Sequence, residues 1–112
     1  MLIFIIYQIS ILCRSVVFFV LYLIMNNYLA EFLGATLFIY VILATGNPLA
    51  IGAALALVIL LTSNISGGHI NPAVSIVMAS AGKLPVADLV PYCLAQIFGG
   101  LVALELFKRF KF

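Results

Sequence analysis

Charge is scarce in this 112-residue chain: Asp, Glu, Lys and Arg together make up 7% of it, where an ordinary soluble domain carries about a quarter. With 67% hydrophobic residues and a mean hydropathy of +1.38, it has no polar surface to offer water. The net charge of +2 comes from five basic residues. Three of these gather at Lys108, Arg109 and Lys111, which leaves no basic face for nucleic acid. The two cysteines, Cys13 and Cys93, lie in apolar runs without the close His or Cys spacing of a zinc site. No metal is therefore expected, and both read as small packing residues. There is no paired acid and base, no nucleophile with an activator, and no phosphate-cradling loop. That excludes an enzyme and calls for no cofactor.

What the chain does have is length of apolar run. Four segments stand out, Leu2 to Ile24, Tyr28 to Thr45, Pro48 to Thr62 and Pro85 to Phe107, near or above the roughly 20 residues that cross a bilayer. The third can extend through Ser63 to Ile65. A fifth, Asn71 to Ser80, covers only about half of a ~30 Å hydrocarbon core and must enter and turn back. The expected fold is thus all-α and membrane-embedded, with the lipid bilayer as its solvent. It holds three transmembrane helices plus one re-entrant half-helix, and residues 1–24 are a candidate extra helix. Gly46-Asn47-Pro48 and Gly82-Lys83-Leu84-Pro85 are short turns. Small residues suit helix packing in lipid, at Gly52 and Ala56 and along Ala95, Gly99 and Ala103.

Residues 1–24 divide from a unit covering 25–112. Arg14 stands mid-run, at a cost of roughly 2.5–3.5 kcal/mol on insertion scales, and no signal-peptide pattern fits. Two readings stand: an extra transmembrane helix, or a segment upstream of an alternative start at Met25.

The chemistry lies in Ser66-Gly67-Gly68-His69-Ile70-Asn71-Pro72-Ala73-Val74-Ser75, a polar, glycine-rich break between apolar runs. Lipid cannot satisfy such a backbone, so it must be buried in protein or line a wet cavity. Asn71 is a favoured N-cap and Pro72 a favoured first helical residue, so the half-helix begins there. Its positive end tolerates neutral solutes and opposes cations, and the Asn71 amide can donate to a passing oxygen. His69 reads as a structural group rather than a proton relay. Glu31, a carboxylate within an apolar run, reads as a brace for the loop.

This run resembles the first NPA loop of the aquaporin and glycerol-facilitator (major intrinsic protein) family. Ala30-Glu31-Phe32-Leu33-Gly34 is similar to that family's first-helix signature, and Ala95-Gln96 with Gly99 to its third helix. The order and separations match over residues 28 to about 107. The resemblance implies that Asn71 carries the pore-centre amide, that Pro72 and Ala73 fix the half-helix start, and that Gly67, Gly68, His69 and Ile70 form the pore loop. It places Ile51, twenty positions before Asn71, at the selectivity constriction, where an aliphatic residue leaves a wider, more apolar opening.

The family joins two such units as an inverted repeat. This chain holds one, without a second NPA or the arginine that follows it. The resemblance therefore implies passive passage of water or small uncharged, glycerol-like solutes only when half-units combine in opposite orientations, as a homo-oligomer or with another aquaporin-like chain. The alternative is a non-conducting truncated family member, either a remnant or a modulator of full-length channels. The basic cluster at 108–111 favours a cytoplasmic C-terminal end. The family's first half puts that end outside, and an extra N-terminal helix would reconcile the two rules.

Overall fold

The computed structural model describes residues 1–110, the side chains of residues 21–25 excepted. Four helices follow in order: α1 (Leu2–Thr45), α2 (Pro48–Thr62), α3 (Pro72–Ser80) and α4 (Val86–Arg109). Three stretches among the described residues, Leu2–Val20, Asn26–Thr45 and Val86–Arg109, are long and apolar enough to cross a membrane, and α2 is a shorter apolar helix. This is an all-α, multi-pass integral membrane protein.

The first two apolar segments join in one helix of 44 residues. No glycine precedes Gly34 and no proline precedes Pro48, so the backbone meets neither of the usual helix breakers. The boundary expected between Ile24 and Met25 lies among residues whose side chains fall outside the described part. An unbroken helix of this length measures about 66 Å, twice the hydrocarbon core. Leu2–Val20 and Asn26–Thr45 therefore cannot both cross one bilayer while α1 stays straight. Nothing among the described residues covers Leu2–Val20, and Cys13, expected to pack, lies exposed there.

Helix α1 stops at Gly46, whose φ of 57° is left-handed and whose N–H returns to the Ile42 carbonyl at 3.0 Å. Asn47 then caps α2, its Oδ1 accepting from Leu49 N at 2.9 Å and Ala50 N at 3.2 Å. Helix α2 ends at Thr62 rather than running on to Ile65. Ser63–Ser66 instead forms a turn in which the N–H groups of Ile65 and Ser66 both donate to the Thr62 carbonyl. Helix α3, nine residues long, rises only about 14 Å and cannot span.

Packing centres on α1, which lies against both α4 and α2, while α3 rests on α4. The α1–α4 crossing is tight at Gly99, where a Cβ would overlap the Phe32 carbonyl oxygen and come within 3.1 Å of Ala35 Cβ. The Thr36 hydroxyl sits in the same crossing, 2.7 Å from the Phe32 carbonyl and 3.1 Å from that of Gly99. The buried stripe of α4 is Tyr92, Gln96, Gly99 and Ala103. Of the expected small-residue stripe, Gly99 and Ala103 are buried and Ala95 only partly so. Gly52 and Ala56 are exposed, and a Cβ on Gly52 would meet nothing within 4 Å. Their close approach is unused within this chain, because α2 turns its other face, with Val58 and Thr62, toward the interior.

Candidate functional site

The loop from Ser63 to Asn71 is held by one side chain on α1. Glu31 is fully buried, and four donors meet its two oxygens. Oε1 accepts from the Ser66 hydroxyl at 2.7 Å and from His69 N at 2.9 Å. Oε2 accepts from Ile70 N at 2.6 Å and from Gln96 Nε2 at 2.8 Å. A carboxylate has about four lone-pair sites, and here each faces a donor. The bonds tie α1, the loop and α4 to a single group, which lets irregular backbone sit at membrane depth.

Because the N–H groups of His69 and Ile70 point inward to Glu31, the trans peptide plane turns the carbonyls of Gly68 and His69 the other way. No hydrogen bond among the described residues reaches the carbonyls of Gly67, Gly68, His69 or Ile70. The loop thus keeps these two donors inside and turns the carbonyls of Gly68 and His69 away from the carboxylate. Tyr92 anchors the start of the turn, its hydroxyl donating to the Ser66 carbonyl at 2.8 Å. Its ring meets Tyr28 edge-on, at 5.8 Å and 86°, and the Tyr28 hydroxyl donates to Asp88 Oδ1 at 2.8 Å.

Gly68 and Ile70 both take left-handed backbone, which only the first accommodates without strain. Gly68 has φ of 64°, and a Cβ there would lie 3.1 Å from Thr62 Oγ1 and 3.4 Å from Ile59 Cα. Glycine suits both the angle and the space. Ile70 has φ of 59°, an outlier for a β-branched residue. It is held there because its N–H is bound to Glu31 and its side chain is buried with Ala35 and Val58 in the small apolar core. Gly34 makes that wedge fit: a Cβ on it would fall 2.5 Å from Ile70 Cδ1 and 2.8 Å from Val58 Cγ1.

Beyond Ile70 the chain reaches Asn71, extended at φ −143°, with Pro72 at the first helical position. Asn71 Oδ1 accepts from Ala73 N at 2.8 Å. The cap consumes the oxygen, so the Nδ2 donor is left to face outward on an exposed residue. Asn71 and Pro72 rim a depression of about 290 Å³ that also involves Phe38, Ile39, Ile70 and Gln96. One amide oxygen in this region, Gln96 Oε1, is buried without a partner.

The structure brings Glu31, Gly68, His69, Ile70 and Asn71 into one cluster. Gly67 and Ala73 are exposed at its edge and Pro72 is half-buried. Ile51 stands apart, half-buried in the first turn of α2, roughly 16 Å along the helix from the Thr62 end that meets the loop. Sequence reasoning gave no role to Ser66, Ser75 or Tyr92. Ser66 and Ser75 at least lie in the polar break, whereas Tyr92 gave no local signal, since its partner is 26 residues away.

Comparison with known proteins bears on this geometry. Residues 19–111 match the model of the family described as Major intrinsic protein. The chain is 41% identical over 95 residues to the Glycerol uptake facilitator protein-like 6 of Lactiplantibacillus plantarum, covering 77% of this chain and 44% of that protein. It is 43% identical over 89 residues to Aquaporin-8 of Notomys alexis, covering 70% of this chain and 34% of that one. Over 58 residues it is 45% identical to Aquaporin Z of Brucella melitensis, covering 52% and 25%. The chain thus spans less than half the length of these relatives. An embedded loop braced by a buried carboxylate, a half-helix capped by Asn-Pro, and a family match over most of its length together place this chain in the major intrinsic protein family.

Proposed function

We propose that this chain is one half of a passive channel for water and small uncharged, glycerol-like solutes. It would conduct when a second such unit, inserted in the opposite orientation, faces it. The observation that carries this is the Asn71 amide, whose oxygen is held by the helix cap while its N–H group is offered outward. An outward row of loop carbonyls supplies acceptors beside that donor. A solute with a hydroxyl or water's two functions can bond to both, while a cation meets the positive end of α3.

Association of half-units is supported by what one unit leaves open. The Asn71-Pro72 end of α3 lies at the chain's surface rather than inside a closed pore. The small residues Gly52 and Ala56 face outward, where another helix could approach closely. Ile51, on the same helix, would contribute to the constriction only across such an assembly. Residues 25–112 would form the unit and residues 1–24 a separate apolar segment, in keeping with Leu2–Val20 lying uncovered by the described residues.

The test is stopped-flow light scattering of proteoliposomes under an osmotic jump, for water and then glycerol, with Asn71→Asp and empty vesicles alongside. Shrinkage faster than empty vesicles and lost in the variant supports a pore built from half-units. No excess over empty vesicles, with helices intact by circular dichroism, favours a non-conducting member, either a remnant or a modulator of full-length channels.

A further inference from the structure

The hydrogen bonds leading from Glu31 to His69 have a fixed direction. The Gln96 amide can stand only one way round: the atom 2.8 Å from Glu31 Oε2 must be nitrogen, because an amide oxygen there would oppose a carboxylate oxygen with no proton between them. The same nitrogen lies 2.8 Å from Ser75 Oγ, so Gln96 donates one hydrogen to Glu31 and the other to Ser75. Ser75 is fully buried and, having accepted from Gln96, has one proton of its own to place. The acceptor in range among the described residues is His69 Nδ1, at 3.0 Å. If Nδ1 carried a hydrogen, two donors would point at each other or the serine proton would be stranded in a buried site.

We infer that Ser75 is a positioning residue that holds His69 as its Nε2–H tautomer, the order of the chain being set by Glu31 through Gln96. Nδ1 accepts from Ser75, and Nε2 carries the ring hydrogen. Nε2 lies beside exposed Gly67, 3.3 Å from where a Cβ would sit, and makes no hydrogen bond to a described residue. The loop therefore presents a ring N–H, not a lone pair, next to its outward carbonyls. The consequence for solutes rests on the channel reading, since a donor at that position favours molecules that offer an oxygen. The tautomer itself does not depend on conduction.

The chain has one histidine, so ¹⁵N-imidazole labelling gives a single pair of ring-nitrogen signals in nuclear magnetic resonance of the protein in bilayers. The native protein should show an unprotonated Nδ1 and a protonated Nε2. Ser75→Ala should lose this single-tautomer pattern and populate Nδ1–H, and Ser75→Thr, which keeps the hydroxyl, should restore it. A native Nδ1–H pattern, a doubly protonated ring, or a Ser75→Ala spectrum like the native one overturns the inference. If Ser75→Ala does not fold, the native spectrum and Ser75→Thr still decide. Vesicles that fail to conduct while His69 shows the expected pattern would reject the channel reading alone.

Discussion

The backbone N–H of Ile70 donates to Glu31 Oε2 at 2.6 Å across 39 residues of sequence, and it does so with Ile70 in a left-handed conformation. One contact thus joins the brace and the strain. Only by turning its N–H inward can the loop direct carbonyls outward, and only a buried acceptor holds a β-branched residue at that angle. Three further donors share the carboxylate, so its loss is felt by the whole loop.

Glu31→Gln should therefore do more damage than its near-isosteric shape suggests. An amide nitrogen would replace one acceptor oxygen and confront two of the four donors. Leaving buried donors unpaired costs about 1–3 kcal/mol each, so a loss of about 3 kcal/mol is expected. Thermal unfolding in detergent followed by circular dichroism measures it. An unchanged midpoint would show that the loop holds its shape without the brace.

Ile70 offers a sharper comparison. Both Ile70→Ala and Ile70→Gly remove a buried side chain, at about 2–5 kcal/mol. Glycine ordinarily adds a further backbone penalty, but at a left-handed position it instead spares about 1–2 kcal/mol of steric cost. Ile70→Gly should thus be the more stable of the two by about 1 kcal/mol. The reverse order in matched melts would mean that the positive φ carries no strain.

Gly99 and Gly52 should respond oppositely to the same change. Gly99→Ala pushes a methyl group into the Phe32 carbonyl and should cost about 1–3 kcal/mol by overpacking. Gly52→Ala meets open space and should leave the isolated chain unharmed, with a gain of up to about 1 kcal/mol from helix propensity. If Gly52 faces a second unit, crosslinked dimer in bilayers should fall for Gly52→Leu while the helix content holds.

The two Asn-Pro caps provide an internal control. Asn47→Ala and Asn71→Ala each remove a side-chain cap, worth about 1 kcal/mol, so their effects on stability should be similar. On the proposed function only Asn71→Ala lowers solute permeability in proteoliposomes. Equal losses of permeability would mean that the Asn71 effect is structural.

Much of this architecture follows from composition and spacing. Charge scarcity and run length place the chain in the membrane, and a ten-residue run is too short to span wherever it lies. The helix ends at Gly46, Asn47-Pro48 and Asn71-Pro72 are similarly local, because these residues stop and start helices by their own backbone preferences. The continuity of Leu2–Thr45 as one helix was less legible from run lengths, because Asn26 and Asn27 interrupt the apolar pattern without a glycine or proline to break the backbone. The possible extension of α2 through Ile65 was not realised, since apolar and small residues run on past Thr62 into a turn that the loop's tertiary contacts impose.

Asn47-Pro48 and Asn71-Pro72 mark the division most plainly. By sequence they are the same device, a capping oxygen followed by a residue that needs no N–H, and each begins a helix as local chemistry dictates. What separates them is Glu31. The carboxylate reaches the loop before Asn71 and leaves alone the turn before Asn47, and that contact spans nearly forty residues. The sequence by itself determined that both helices would start. Only tertiary structure decided which start would follow carbonyls turned away from a brace, because peptide groups are held that way only where a buried acceptor keeps their N–H groups in.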